Sequence, residues 1–305
     1  MNIFLYVSGV VLANASLDIA FHDTVFIFFI GLILPSLFFM TKFDMSSFNL
    51  SSNNDFCTNG LFDKNNYNEY IKMFWVGLMD GDGSIQVNHW RKQSLQYRLV
   101  IKLSNIKSNY NMLIEIAKVV GGTVKIIGKA ADVIWVVNKK EEIIEIIKIF
   151  DTYPPLTSKK ICQLAFLKTC LTGISVETYL LNRDLKYNEQ LSIITSNIKF
   201  NIPSYFKGWL SGFIEAEGCF SIRKSSNHSF SIGQNDDFYL MDAIKQYFEV
   251  TNKIRNTNGN FYSIEVYKKE SLFRIINHCT NYPLLGEKLG SLKKFYKKLI
   301  YLYYL

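Results

Sequence analysis

The 305-residue chain lacks the cysteine and histidine patterns that zinc-binding or disulfide-bonded domains need. It has only four histidines, and none of its five cysteines forms a CxxC pair or has a histidine at zinc-ligand spacing. A structural zinc site is therefore not expected. We interpret the cysteines as reduced thiols of a protein that is not secreted. They are Cys57, Cys162, Cys170, Cys219 and Cys279.

Basic side chains are scarce at the start of the chain. Residues 1–68 carry Lys42 and Lys64 against five aspartates, a net charge of −3. Residues 69–305 therefore carry the whole positive balance, +11. A basic region of this kind favours a polyanionic partner without identifying it.

The apolar start of the chain lacks a run long enough to be a clear membrane span. Residues 1–45 are mostly apolar, but the run at residues 25–40 contains Pro35 and is shorter than the roughly 20 residues that cross a bilayer. We interpret residues 1–45 as a membrane anchor or targeting leader separate from the activity. Residues 46–66 are rich in serine and asparagine and predict a flexible linker.

The remainder is an internal repeat, which we divide into halves at residues 67–190 and 191–305. Hydrophobic periodicity predicts the same order in each half: helix, two strands, helix, two strands, helix. A proline turn follows each last helix, at Pro154 and at Pro283. The predicted strands are residues 84–88, 96–103, 123–127 and 133–137, then 219–223, 229–233, 253–255 and 261–266. The sequence thus predicts an α+β fold of two pseudo-symmetric halves.

Each half opens with an acidic, glycine-rich motif, at residues 75–85 and 210–220. Gly77 and Gly81 are four residues apart, and small residues at this spacing allow two helix backbones to approach closely. Two such helices packed together would bring Asp82 and Glu217 to adjacent C-terminal ends, where bound cations are favoured. Paired carboxylates there could hold Mg²⁺ against a phosphate and support phosphodiester hydrolysis.

Two other interpretations of the motif compete with a metal site. The Asp80–Ser84 segment resembles a calcium loop, but an EF-hand needs glycine at its sixth position and glutamate at its twelfth, where this chain has Ile85 and Arg91. A single acid-glycine turn is more often a helix C-cap than a site. Two copies in matching contexts favour the site.

These motifs resemble those of the LAGLIDADG homing endonucleases, specifically the kind with two motifs in one chain. The resemblance covers residues 67–305 and implies a monomer that cuts double-stranded DNA with Mg²⁺. It implies two αββαββα halves, each with a four-stranded antiparallel sheet that binds DNA, and motif helices packed at the interface. The metal ligands would be Asp82 and Glu217, whereas Asp80 and Glu215 would be structural.

The resemblance also implies a polar residue after a strand, near the attacking water, and a lysine after each proline turn. Asn105 and Gln234 fit the first position, and Lys159 and Lys288 fit the second. Their distances from the motif acids are 23 and 77 residues in the first half and 17 and 71 in the second. Both differ by six residues, so one longer hairpin near residues 90–96 would explain both. The alternative is that both lysines are ordinary solvated side chains.

DNA recognition is expected on the strands, where basic side chains could contact phosphates and base edges. The candidates are Arg91, Lys92, Arg98, Lys102, Lys125, Lys129, Arg223, Lys224, Lys253, Arg255 and Lys268.

Residues 8–24 resemble cytochrome c oxidase subunit 1, and the likeness stops at Thr24. This resemblance implies an intron reading frame fused to its upstream exon, hence a mitochondrial enzyme that inserts its intron into the intronless subunit 1 gene. The main alternative is a maturase that binds its host intron RNA and assists splicing. A membrane protein with a soluble tail is a third interpretation. An intein is not expected, because no cysteine or serine opens the chain and no His-Asn pair closes it.

Overall fold

A computed structural model describes residues 64–223 and 228–304. The predicted leader (1–45), most of the predicted linker (46–66) and Lys224 lie outside these ranges. Among the helices of the described part, none is both long and apolar enough to cross a bilayer.

The first half begins with helix α1 and continues with two hairpins separated by a helix. The elements are α1 (Lys64–Gly81), β1 (Gly83–Trp90), β2 (Ser94–Ser104), α2 (Lys107–Val120), β3 (Thr123–Ile127), β4 (Asp132–Val137), α3 (Lys140–Thr152) and α4 (Ser158–Leu171). All strand pairs are antiparallel, in the order β1-β2-β4-β3.

The second half repeats this order after a helical connector. The connector contains α5 (Val176–Asn182), a 3-10 turn (Arg183–Leu185) and α6 (Gln190–Ser196). The elements that follow are α7 (Phe206–Glu217), β5 (Cys219–Ser221), β6 (Ser229–Asn235), α8 (Phe238–Tyr247), β7 (Arg255–Thr257), β8 (Phe261–Val266), α9 (Lys269–Asn281) and α10 (Glu287–Tyr304). Its sheet has the equivalent order β5-β6-β8-β7.

The α+β fold class and the doubled αββαββα order are confirmed, with two additions. Each half gains a further helix after its proline turn, α4 or α10, and the connector contains α5 and α6, where no element was predicted. Strand β7 also begins at Arg255, so the predicted strand at 253–255 was placed too early.

Each sheet packs its helices against one face, because side chains alternate between faces along a strand. In the first half Leu99 and Ile101 are fully buried on that face, and the Trp75 ring lies 5.6 Å from that of Trp135. In the second half Phe220 packs on Phe230 and Phe295. The opposite faces, which we call the first and second outer faces, remain available to a ligand.

Candidate active site and nucleic-acid interface

Helices α1 and α7 pack backbone against backbone through their glycines. A Cβ atom at Gly77 would lie 1.9 Å from the Trp209 carbonyl oxygen, and one at Gly212 would lie 1.8 Å from the Phe74 carbonyl oxygen. No side chain fits in either place. The predicted close approach of the two motif helices is thus present, and its symmetry brings their C-terminal ends together.

The second acids of the motifs meet at these ends. A Cβ at Gly81, the residue before Asp82, would lie 3.2 Å from Glu217 Oε1. Burial raises the pKa of Glu217, and the negative charge of Asp82 raises it further. Asp82 remains open to solvent, but the protein atoms around it reduce its hydration enough to raise its pKa as well. The two carboxylates therefore share one electrostatic site.

The first acids are buried and bind backbone N–H groups at the proline turns. Asp80 accepts hydrogen bonds from the Leu156 and Thr157 amides at 2.8 and 3.3 Å, and from Trp209 Nε1 at 2.6 Å. Glu215 likewise accepts from the amides of Leu285 and Gly286, in the turn that precedes α10, and from that of Lys288, in the first turn of α10. Each first acid thus binds the amides at the start of the last helix of its half, a structural function.

The lysines are not arranged as the repeat predicts. Lys288 lies near both Asp82 and Glu217, and its positive charge favours their ionised forms. Lys159 instead forms a 2.9 Å ion pair with Asp236, at the end of β6. The next residue, Lys160, interacts with Asp82 and Glu217, and desolvation lowers its own pKa. Sequence reasoning missed Lys160, because adjacent lysines at a helix start cannot be distinguished without the direction of that helix.

The register of the sheets shows that Asn105 and Gln234 are not equivalent positions. Strand β4 ends at Val137, which pairs with Leu99, and strand β8 ends at Val266, which pairs with Phe230. Each of the two strands ends three residues before the next helix begins. Leu99 therefore corresponds to Phe230, so the counterpart of Asn105 is Asp236, not Gln234. The backbone amides of Asn105 and Asp236 donate to equivalent turn carbonyls, that of Ala131 in the first half and that of Asn260 in the second.

The side chain of Gln234 lies on the helix-packed face of the second sheet rather than on its outer face. It is two residues from Ile232 and four from Phe230, which are buried against the helices, so its side chain leaves the sheet on that side. Asn105 follows β2, and its side-chain amide donates to the Ala130 carbonyl at 2.8 Å. The predicted pairing of Asn105 with Gln234 was therefore wrong.

The six-residue difference between the halves has two origins rather than one. Ser84 pairs with Val100 and Cys219 with Ser231, so the first hairpin is four residues longer in the first half. The remaining two residues lie between Asn105 and Ala131, in the segment containing α2 and β3. Spacing alone cannot distinguish one insertion from two, which is why the single-hairpin explanation was wrong.

The first outer face is polar at its rim and apolar at its centre. Its centre is the small cluster of Val100, Ile134 and Val136. The register places Arg98, Lys102 and Lys125 on the same side of the sheet. Gln86, Asn88 and Gln96, which were not predicted, share that side as well.

The remaining predicted cations of the first half lie in turns. Arg91, Lys92 and Lys129 have positive φ angles of 49°, 57° and 55°, as tight hairpin turns require. The Arg91 guanidinium stacks over the exposed Trp90 ring at 4.9 Å from its centroid. Arg183 and Lys186 of the connector line a cleft beside Gln86 and Asn88, and sequence reasoning missed both.

The second outer face carries fewer cations than predicted. Arg223 and Arg255 border it, and both bind Glu265, which pairs with Ser231 across the sheet. Lys253 precedes β7, while Lys268 lies at the start of α9 with its amine 3.9 Å from a Glu270 carboxylate oxygen.

The paired acids fit a divalent ion held partly by substrate. No group of three histidine, cysteine, aspartate or glutamate side chains gathers anywhere in the described residues. Asp82 and Glu217 offer only carboxylate oxygens, next to helix C-terminal ends. This donor set suits Mg²⁺, which commonly binds one or two carboxylates and completes its shell with water and phosphate oxygens.

The family model described as LAGLIDADG endonuclease matches residues 75–170 and 210–299, one region in each half. Among solved structures, the meganuclease I-AabMI bound to uncleaved DNA aligns with a TM-score of 0.58 at 24% identity, covering 76% of this chain and 91% of its own. The homing endonuclease I-GzeII in complex with its DNA target aligns with a TM-score of 0.60 at 19% identity, covering 76% and 90%. These structures confirm the predicted fold.

Relatives with higher identity carry a common name, "Probable intron-encoded endonuclease aI3". The one from Debaryomyces hansenii is 50% identical over 95% of this chain, which spans only 48% of that relative's length. The one from Dictyostelium citrinum is 48% identical, over 74% of this chain and 94% of its own length. With both halves matched by the family model and both motif helices in place, the chain belongs to the LAGLIDADG endonuclease family.

Proposed function

We propose that this protein is a site-specific endonuclease that hydrolyses phosphodiester bonds of double-stranded DNA with Mg²⁺. The observation that carries the proposal is the meeting of Asp82 and Glu217 at the adjoining ends of two helices, between two sheets with solvent-facing outer faces. One chain supplies both acids, so we infer that it acts as a monomer. A structural neighbour, I-SmaMI, was solved on uncleaved DNA in the presence of calcium ions, which supports a divalent-ion site.

The chain's own residues would hold the metal and balance the charge of the phosphate. Asp82 and Glu217 would ligate the ion, which when bound supplies an activated water and stabilises the leaving oxygen. Lys160 and Lys288 lie beside both acids. Their ammonium groups would offset the negative charge of the phosphate and of the carboxylates. Lys159 would act only indirectly, because its amine binds Asp236.

We further propose that the target is the intronless cytochrome c oxidase subunit 1 gene in mitochondria. The subunit 1 resemblance of residues 8–24 supports this target. A Schizosaccharomyces pombe relative, 29% identical over 68% of this chain, is named "Probable intron-encoded endonuclease Cox1-I1b". The Debaryomyces hansenii relative aligns over 95% of the chain, so its similarity extends into the leader. Cutting the uninterrupted gene would allow repair to copy the intron into it.

The test is cleavage of a duplex that joins the codons for Leu17–Thr24 to the next exon. The full chain with Mg²⁺ should cut this duplex, whereas Asp82→Asn and Glu217→Gln should abolish cutting and retain binding in Ca²⁺. Glu145→Gln is the control, because Glu145 is an exposed acid that forms an ion pair with Lys148 on α3. An uncut duplex would refute the target, and cutting by either acid variant would refute the roles of these acids.

A maturase function is the second candidate, favoured by a stripe of exposed lysines on helix α10. Helix α10 buries Leu292, Phe295 and Leu299 and exposes Lys294, Lys297 and Lys298, a stripe that suits RNA phosphates. RNA binding alone does not need Asp82 and Glu217. Splicing of the host transcript that survives in both acid variants would therefore support a maturase, and its loss would oppose one.

A further inference from the structure

A carboxylate lies on the second outer face, between two arginines. Glu265 Oε1 is 2.6 Å from Arg223 Nη2, and Glu265 Oε2 is 2.7 Å from Arg255 Nη1. Each oxygen thus holds a different guanidinium. The Glu265 side chain is only 16% exposed, whereas those of Arg223 and Arg255 are 46% and 61% exposed. The acid is the recessed centre of the group, and the arginines are its accessible edges.

The surroundings of Glu265 keep it ionised and hold its partners. A hydrogen bond from Tyr267 and the charges of Arg255 and Arg223 lower the Glu265 pKa, although partial burial opposes them. The Arg223 guanidinium also lies over the Tyr267 ring, 5.5 Å from its centroid. Both arginines are therefore oriented by fixed neighbours before any ligand binds.

The carboxylate of Glu265 would lower the DNA affinity of a surface that binds only phosphates. It cancels one of two positive charges and weakens sequence-independent attraction to DNA. Such exposed ion pairs also contribute little to folding stability. What Glu265 supplies is orientation, because a guanidinium has five N–H donors in a fixed plane and each ion pair engages one terminal nitrogen. The other donors can form the paired contact that reads guanine O6 and N7 in the major groove.

We propose that Glu265 is a specificity-determining residue that positions Arg223 and Arg255 to read two base pairs in the half-site bound by the second sheet. The proposal rests on the DNA-binding function proposed above. The first outer face contains a simpler arrangement, in which Asp132 forms an ion pair with Lys102 at 2.8 Å. Because lysine is a point charge without the planar fork, we expect no comparable base reading from that pair.

The experiment is selection of bound sequences from a library of random DNA duplexes, with Ca²⁺ in place of Mg²⁺. The full chain, Glu265→Gln and Asp132→Asn are compared, followed by affinity measurements on single-base variants of the selected site over a range of salt. In Glu265→Gln, discrimination should fall by about tenfold at two positions of one half-site. The decrease of DNA affinity with salt should steepen by about one released counterion, because the substitution removes the negative charge of Glu265.

Two further variants separate positioning from simple charge. Arg223→Lys and Arg255→Lys should each lose discrimination at one of the two positions without steepening the salt dependence. Asp132→Asn should leave both positions unchanged. Affinity that rises equally for all sequences in Glu265→Gln, with discrimination intact, would overturn the proposal. Failure of the unaltered chain to select any duplex would instead refute the proposed function.

Discussion

Replacing either interface glycine by alanine should separate the motif helices and abolish cleavage. The added Cβ would lie 1.9 Å from a carbonyl oxygen at Gly77 and 1.8 Å at Gly212. Ordinary contacts are about 3.5 Å or longer, so the helices must move apart by roughly an ångström or more. Overpacking typically costs about 1–3 kcal/mol, and the atom contacted here is backbone, which cannot rotate away. We therefore expect Gly77→Ala and Gly212→Ala each to lose about 3 kcal/mol of unfolding free energy.

Chemical denaturation and duplex cleavage measure the two consequences, and the chain offers a matched control. Gly290 lies in helix α10, and a Cβ there would meet nothing within 4 Å. Gly290→Ala should therefore stabilise the protein by about 0.5–1 kcal/mol through helix propensity and leave cleavage intact. If Gly212→Ala is as stable and active as Gly290→Ala, the backbone contact does not build the site.

Two further predictions concern α4. Lys160→Met should lower cleavage about 100-fold or more while Lys159→Met lowers it less, because Lys160 interacts electrostatically with both acids whereas Lys159 forms an ion pair with Asp236. Single-turnover rates with bound duplex measure the difference, and the reversed order would contradict this prediction. Asp237 binds the Ser158 amide, and burial raises its pKa from 3.8 to about 6. The neutral acid is thus favoured in the folded state, so Asp237 adds stability below pH 4 that is lost as the pH rises through about 6. Its contribution is about 3 kcal/mol. Asp237→Asn should remove that pH dependence while keeping the amide contact, and parallel unfolding curves from pH 4 to pH 8 for the two proteins would contradict this.

The parts of the fold that depend on local pattern could be predicted from the sequence. The repeat order, the sheet strands other than β7 and the helix contact at Gly77 and Gly212 follow from periodicity and small-residue spacing. The structural function of Asp80 and Glu215 was implied by the family resemblance, and their buried hydrogen bonds agree with it. Each of these features occurs at equivalent positions in both halves, so the pattern in one half supports the prediction for the other.

The parts of the site that depend on strand register, or on the direction in which a helix presents its side chains, could not be predicted. Gln234 looked suitable because it ends a strand, but only the strand pairing shows that its side chain leaves the sheet on the helix-packed face. Lys159 and Lys160 are adjacent in sequence, yet Lys159 binds Asp236 and Lys160 interacts electrostatically with the acids. Glu265 has no motif at all, and its importance follows from the two arginines that the fold brings to it.

Each half of the protein positions part of the other half's site. Tyr205, at the start of α7, donates to the Pro154 carbonyl at 2.8 Å, and its counterpart Tyr70 donates to the Pro283 carbonyl. These turns lead directly into α4 and α10, the helices that carry Lys160 and Lys288.

The starts of α4 and α10 are also capped across the interface. Asp237 of the second half accepts the Ser158 amide at 3.1 Å, and Asn109 of the first half accepts the Glu287 amide at 3.0 Å. Trp209 completes the pattern by donating to Asp80 of the opposite half. The lysine of each half is therefore oriented by residues of the other. Because of these contacts, a half produced alone would lack both the second acid and the contacts that aim its own lysine. A change at the interface should thus impair both strand cleavages together.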